Sequence, residues 1–502
     1  MKDKFYITTP IYYANAAPHI GSSYTTIAGD VLARYHRMTG DEVFFLTGTD
    51  EHGAKIEKSA LDAGKSPKEF TDELAAKFEM AWDGLAVSND AFIRTTDPKH
   101  IKASQNALQR LYDKGIIYKG EYEGHYCVGC EQYKTEKDLV DGKCVDHGTV
   151  PQKTKEECYM FKLSAFSKEL QERIEKDELL VEPVERKNEI LSFYKNGLTD
   201  IACSRKNVKW GVPLPWDTDH TAYVWMEAFL NYLTGLGWTG EAEEKLDMWP
   251  AQVQLMAKDI LRVHATIWPA ILLALDMELP KKIFVHGYFL VDGKKMSKSI
   301  GNVIAPSDLT QKYGVDATRY LLMGAAVFGR DGDIGWEKFD EKFNADLANG
   351  LGNLVARSVA MTVKFRKNEG ELVKADSFCE VEKIVSEYHK NLSELHIDTT
   401  LHGIWQGLIN ACDQHITSTE PFRLIGKDNE KAGEILYQCL ETIRIIANLI
   451  WPFMPETAET IWQRLGLDPS KEMAKDFSDN TKWGGLDTKS VIEKGESLFP
   501  RI

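Results

Sequence analysis

Lys295-Met296-Ser297-Lys298-Ser299 places two ammonium groups and two hydroxyls on a short stretch between Gly293 and Gly301. Cations fixed in this way offset the charge that builds when an α-phosphate is attacked and pyrophosphate leaves, a task of positioning and electrostatics with no covalent chemistry. A second cluster, His19-Ile20-Gly21-Ser22, lies near the N-terminus. It follows a stretch, 4–12, whose Ile, Thr, Phe and Tyr content predicts a strand, and the turn-forming Asn15-Ala16-Ala17-Pro18. A helix is predicted from about Ser23, with Ile27, Val31, Leu32, Tyr35 and Met38 on its apolar face and Gly40 as its stop. His19 and Gly21 then sit at a strand-to-helix junction, where backbone N–H groups and the helix dipole attract phosphate and a glycine lets a ligand approach the backbone. Singly, each cluster also reads as ordinary structure, a capped turn in one case and a solvated lysine hairpin in the other. Together, in this order, they predict a site that adenylylates a substrate with ATP.

The surrounding elements must present these groups. The stretch 283–291 reads as a strand and Asp292-Gly293 as a turn, which puts the lysines on a mobile tip able to close over a transition state. Asp50 follows the apolar run 43–46 and is expected at a strand end, where its carboxylate can pair with a substrate ammonium; a turn or N-cap aspartate is the plainer alternative. His264 and Trp268 are one helical turn apart and are expected on one helix face, an arrangement more often found in cores than in ligand sites.

Three of the eight cysteines are clustered. Cys127-x2-Cys130 followed by Cys144-x2-His147, with Gly129, Gly142 and Gly148 in the turns, has the spacing of a structural zinc knuckle whose shell leaves no place for a catalytic water. A reduced thiol cluster without metal is the alternative. Cys158, Cys203, Cys379, Cys412 and Cys439 are scattered and suggest no disulfide framework. A length of 502 residues with 43% hydrophobic content predicts two to four domains. A net charge of −15 argues against indiscriminate nucleic-acid binding, so RNA contacts would need local patches such as Lys364, Arg366 and Lys367. Without an apolar leader, transit pattern or long apolar span, the expected compartment is the cytoplasm, with no membrane association.

The paired motifs resemble those of class I aminoacyl-tRNA synthetases. Thr8-Thr9-Pro10-Ile11-Tyr12-Tyr13, Gly48-Thr49-Asp50-Glu51-His52-Gly53 and Lys258-Asp259-Ile260 are similar to the methionyl-tRNA synthetase family, and the likeness runs from Phe5 to Ile502. The spacing between the motifs leaves no room for the editing domain of the isoleucine, leucine and valine enzymes. Three positions depart from the family pattern: Ser22 stands where a second histidine is usual, Ala257 for glycine and Glu227 for aspartate.

The resemblance implies a Rossmann-type parallel sheet split by a zinc-binding connective insertion and followed by an all-α anticodon-binding domain. The implied boundaries are 1–115 and 188–290 for the two halves of the catalytic domain, 116–187 for the insertion, 291–340 for the lysine loop and connector, and 341–502 for the helical domain. It implies L-methionine activation on ATP with Mg2+ and transfer to initiator and elongator methionine tRNA, with one structural Zn2+. Catalytic roles fall to His19, Gly21, Ser22, Lys295 and Lys298, and ATP contacts to His19, Gly21, Lys258, Asp259, His286, Lys295, Ser297 and Lys298, with Ser204 and Arg205 near the phosphates. The implied methionine pocket is Ile11, Tyr13, Asp50, Trp225, Ala228, Tyr232, His264 and Trp268; aromatic walls suit a thioether. Anticodon contacts fall to Asn353 and Arg357, at i and i+4, and to Phe422, where tryptophan is usual. The final residues, 498–502, resemble the end of the helical domain in members that continue into a dimerising module, and the chain as it stands is expected to be a monomer. Two other readings are a paralogue with altered amino-acid preference and an RNA-binding protein that has lost adenylylation; the intact lysine motif and Asp50 weigh against the second.

Overall fold

The computed structural model describes residues 2–502 apart from 129–131, 135–138, 146–147, 207, 243, 292 and 297–301. Six strands, β1 (Lys4–Tyr13), β2 (Glu42–Asp50), β3 (Ala91–Arg94), β4 (Leu180–Glu182), β5 (Val253–Ala257) and β6 (Lys282–His286), form one sheet. The spatial order is β3-β2-β1-β5-β6-β4, and every neighbouring pair is parallel. Residues 5–10 of β1 are buried without interruption, as expected of a parallel strand covered on both faces. The strand order reverses between β1 and β5, and such a switch point opens a crevice at the C-terminal strand ends.

Helix α1 (Ile20–Met38) leaves this crevice. It begins earlier than the predicted Ser23, because the His19 side chain accepts from Gly21 N and Ser22 closes a reciprocal capping box, satisfying N–H groups that would otherwise force a later start. Ile27, Val31, Leu32 and Tyr35 are buried, and Met38 packs against the same core.

The predicted strand 283–291 is two strands in different sheets. After β6 the chain breaks at Gly287, and β7 (Phe289–Val291) pairs antiparallel with β8 (Lys294–Lys295) and parallel with β9 (Gly332–Ile334). Gly287 permits the break, since a Cβ there would run into the backbone of Arg330 and Asp331. The loop tip expected to be mobile, 297–301, lies outside the described residues.

The segment 116–187 is also not a single unit. Its arms Ile117–Cys127 and Gln152–Phe161 form a long antiparallel hairpin, but β4 returns to the main sheet beside β6, and Ile201–Ala202 adds to the hairpin instead. Two-residue pairings carry too little periodicity to be read from sequence.

Helices α2 (Val315–Met323), α3 (Asn353–Lys367), α4 (Ala411–Thr419) and α5 (Asn429–Ile450) lie in the C-terminal part. That part is not helical throughout: residues 482–502 run irregularly across α3, where Arg366 donates to the carbonyls of Thr488 and Ser490. This removes Arg366 from the basic patch suggested for RNA. One apolar core runs from Ile7 and α1 through α2 to α5. At its centre the fully buried Arg319 donates to Asp30 Oδ2 (2.6 Å) and to the carbonyls of Leu85, Pro452 and Phe453. Burial pushes the Asp30 carboxyl up, but the Arg319 and Arg34 guanidiniums overcome this and hold it below the usual range. Among the described residues no helix is long and apolar enough to cross a membrane.

Candidate active site

The two clusters predicted to handle ATP meet at the switch point. A Cβ at Gly21 would lie 2.8 Å from His19 Cε1 and 3.7 Å from Met296 Cε, so the lysine motif folds over the first motif where glycine leaves room. Ile20 N donates to Ile304 O (3.1 Å), tying the start of α1 to the segment beyond the loop. Lys294 and Lys295 lie in β8, while Ser297 and Lys298 are outside the described residues. Ser22 is 8% exposed; its Oγ donates to His19 O (2.7 Å) and accepts from His19 N (3.1 Å), so the hydroxyl faces the cap rather than the crevice.

His286 ends β6, pairs with Ala257 in register, and is buried. Its Nδ1 lies 2.7 Å from Gly287 O, an atom that only accepts, so Nδ1 carries the proton and Nε2 accepts from Thr25 Oγ1 (2.6 Å). Burial holds this imidazole below its ordinary pKa, and it is neutral. His286 therefore braces α1 against β6. Lys258 follows β5; its Nζ lies 2.9 and 2.7 Å from the two Asp331 oxygens and 4.5 Å above the Tyr288 ring. Asp259 is exposed beside it.

On the other side of the crevice, Asp50 is the last residue of β2, beside Tyr13 in register, and is 7% exposed. Ile11 packs against a separate apolar cluster that includes Leu46, Tyr232, Trp268 and Ile283 and in which Ala228 is buried. His264 and Trp268 are not on one helix face: His264 ends Leu261–His264 and Trp268 lies in Ile267–Ala274, with Thr266 between them away from helical angles. Phe229 brings them together, with ring centroids 4.9 Å from His264, 5.8 Å from Trp268 and 5.2 Å from Trp225. Sequence reasoning missed Phe229, although its placement one turn after Trp225 was a signal. His264 Nδ1 donates to Ile260 O (2.9 Å), leaving Nε2 to accept from Tyr232 Oη (2.8 Å). Burial depresses the His264 pKa to about 4. The arrangement is a largely buried aromatic wall with one orienting hydroxyl, chemistry that suits an apolar, polarisable side chain.

Behind that wall lies a second feature the sequence did not announce. Glu227, fully buried, accepts from His52 Nδ1 (3.1 Å) and His100 Nε2 (3.0 Å). Burial raises its pKa, but the two imidazoles overcome this and keep it ionised. The clamp joins the end of β2, which bears Asp50, to the helix that bears Trp225 and Ala228. Ser204, by contrast, is internal: its Oγ accepts from Tyr159 N (2.9 Å) and lies 3.1 Å from His220 Nδ1. Arg205 lines a small cavity with His52, Tyr126, Trp210 and Tyr223.

Of the four residues expected to hold zinc, Cys127 ends a hairpin arm and Cys144 lies in Lys143–Cys144, each 1% exposed. Cys130 and His147 lie outside the described residues. Gly148 N donates to Cys144 O and Cys144 N to Thr149 O. Among the described residues no three His, Cys, Asp or Glu side chains converge on a metal position.

Asn353 and Arg357 share α3; Asn353 is exposed, and Arg357 Nη1 is 2.5 Å from Asp413 Oδ1 on α4. Phe343–Gly352, just before Asn353, is π-helical, a form frequent at functional sites. Phe422 is 48% exposed, with the Arg423 guanidinium 5.8 Å from its ring centroid.

The chain matches the family described as tRNA synthetases class I (M) over residues 5–145 and 130–359, and the anticodon-binding domain of tRNA ligase over 379–498. It is 43% identical to a methionine–tRNA ligase of Caldanaerobacter subterraneus over 516 residues, covering 100% of this chain and 79% of that protein. It is 41% identical to that of Streptomyces coelicolor over 521 residues, covering 99% and 96%. It superposes on the Mycobacterium tuberculosis methionyl-tRNA synthetase in complex with methionyl-adenylate with a TM-score of 0.93 at 36% identity, covering all of both chains. On the free form of that enzyme the TM-score is 0.86 at 32% identity, covering 100% of this chain and 99% of the other. A class I catalytic domain on a parallel sheet, an anticodon-binding domain behind it and these likenesses lead to one conclusion: the chain belongs to the methionyl-tRNA synthetases, class I methionine–tRNA ligases.

Proposed function

We propose that this methionine–tRNA ligase forms methionyl-adenylate in the crevice between β1 and β5 and passes the methionyl group to the terminal ribose of methionine tRNA, with the following residues in these roles. Asp50 pairs with the methionine ammonium. Ile11, Tyr13, Trp225, Ala228, Tyr232, His264 and Trp268, held by Phe229, enclose the thioether. A neutral His264 and a buried wall suit an uncharged side chain, and sulfur–aromatic contacts of about 0.3–1.5 kcal/mol each favour methionine. Such a pocket rejects one missing methylene by only about 1–3 kcal/mol, so homocysteine is the expected competitor.

His19, Gly21, Lys258, Asp259 and His286 border the ATP phosphates, and Lys295, Ser297 and Lys298 close over them. The carboxylate of methionine attacks the α-phosphorus, the bond to the β-phosphate oxygen breaks, and pyrophosphate leaves. The lysines and the N-terminus of α1 stabilise the charge that moves onto the leaving group. Mg2+ bound to the triphosphate would neutralise part of it. Ser22 contributes through the cap that holds His19. Asn353, Arg357 and Phe422 meet the anticodon, where an exposed ring can stack on an unpaired base.

The hairpin Ile117–Cys127 and Gln152–Phe161 belongs, in this reading, to a connective insertion with one structural Zn2+ on Cys127, Cys130, Cys144 and His147. The two buried thiols of Cys127 and Cys144 suit the soft half of such a donor set, and the ion would tie the end of the hairpin together. The single observation that carries the functional reading is the convergence of both ATP motifs and the aromatic pocket on one switch point. ATP–pyrophosphate exchange with each of the twenty amino acids tests it. Exchange dependent on methionine is expected, and a stronger response to another amino acid would overturn the assignment of the pocket.

A further inference from the structure

We infer that Asp331 is a positioning residue for adenylate formation: it holds the Lys258 ammonium at the mouth of the nucleotide crevice and ties it to the strand that enters the lysine loop. The inference rests on the reading of Lys258 as a phosphate contact.

Both Asp331 oxygens reach Lys258 Nζ, at 2.9 and 2.7 Å, and Oδ1 also accepts from Tyr288 N at 2.8 Å. Tyr288 immediately precedes β7, and its ring lies beneath the same ammonium at 4.5 Å. The carboxylate thus fixes a cation after β5 and the first backbone amide of the lysine hairpin at once. Two positions farther along, Asp333 Oδ1 accepts from Gly293 N (2.8 Å), so Asp331 and Asp333 together hold the backbone on either side of β7. Neither approach tolerates a side chain: a Cβ at Gly287 would strike the backbone of Arg330 and Asp331, and one at Gly332 would strike Ala326.

Stability does not account for this arrangement. The Lys258 and Asp331 side chains are 27% and 39% exposed, and a half-exposed ion pair adds little to folding. A lysine on four rotatable bonds gains much from being placed before its ligand arrives, because less conformational freedom is lost at the moment of binding. Asp331 supplies that placement, and makes the position of Lys258 move with the hairpin that carries Lys295.

Steady-state ATP–pyrophosphate exchange on Lys258→Ala, Asp331→Asn and the double variant tests the inference. Asparagine keeps an oxygen for Tyr288 N–H and removes the charge that holds Lys258. Each single variant is expected to lower kcat/KM for ATP by about tenfold, with methionine KM within about twofold and an unchanged melting temperature. The double variant should be no worse than Lys258→Ala, since Asp331 acts through Lys258. If Asp331→Asn equals wild type while Lys258→Ala is impaired, Asp331 has no such role and the inference falls. Losses that multiply in the double variant would overturn it as well, by showing that Asp331 acts through another group. A wild-type rate for Lys258→Ala would instead sink the reading of Lys258 as a phosphate contact, and this inference with it.

Discussion

Replacing His264 by leucine is a direct test of how the aromatic wall is held. The imidazole accepts from Tyr232 Oη at 2.8 Å and stands edge-on to Phe229 at 4.9 Å. Leucine leaves a buried hydroxyl without its acceptor, at about 1–3 kcal/mol, and removes an aromatic contact of about 0.5–1.5 kcal/mol. Together these amount to about 1.5–4.5 kcal/mol, an upper bound of roughly 10- to 2000-fold in kcat/KM for methionine. In the proposed arrangement ATP meets the opposite side of the crevice, so its KM should move by less than about threefold. Tyr232→Phe in the same protein removes the orphaned hydroxyl, and the double variant should recover part of the loss.

The pH behaviour provides a second arm. With a folded pKa of about 4 against an ordinary value near 6.5, His264 is neutral in the native protein, and the unfolded chain takes up its proton first as the pH falls. Its contribution to stability is complete above the unfolded pKa and declines between about pH 6.5 and 4, by roughly 2 kcal/mol at pH 5. The variant should lack that component. Equal losses for methionine and ATP, or strict additivity with Tyr232→Phe, would show that His264 only maintains the fold and would refute the reasoning.

Protein purified without chelator should carry one zinc per chain by elemental analysis; a ratio near zero with full activity would remove the metal from the proposed hairpin. Phe422→Ala should lower kcat/KM for methionine tRNA by roughly one to two orders of magnitude through lost stacking of about 1–3 kcal/mol, while pyrophosphate exchange is nearly unchanged and Phe422→Trp holds or improves charging. If the alanine variant keeps the wild-type preference between tRNAs differing in the first anticodon base, the ring does not read it. Ser22→His should raise the single-turnover rate of adenylate formation by adding a donor near the phosphates, and should lower the melting temperature by losing the cap, worth about 1 kcal/mol. A lower rate would mean that the cap, holding His19, matters more than the donor.

By itself the sequence pointed to ATP chemistry and to the family, because the residue types suited to phosphate sit together on two short stretches. Strand β1 was legible from its β-forming residues followed by a turn, and the helix after it and the long helix α5 from the spacing of their apolar residues, although all three are buried almost throughout. The true start of α1 was less legible: a histidine cap with a serine three positions on is an uncommon form of the capping box, and it moved the boundary to Ile20. Only the tertiary structure decided which distant residues became neighbours. Phe229 joins His264 and Trp268 across a break between two short helices, Glu227 receives two histidines from separate elements, and Asp331 reaches Lys258 across β7. None of these pairings leaves a period or a spacing in the chain. They arise because a buried carboxylate must find donors wherever the fold offers them, and because glycine at 287 lets one strand leave the sheet and bring the lysine hairpin over the N-terminus of α1.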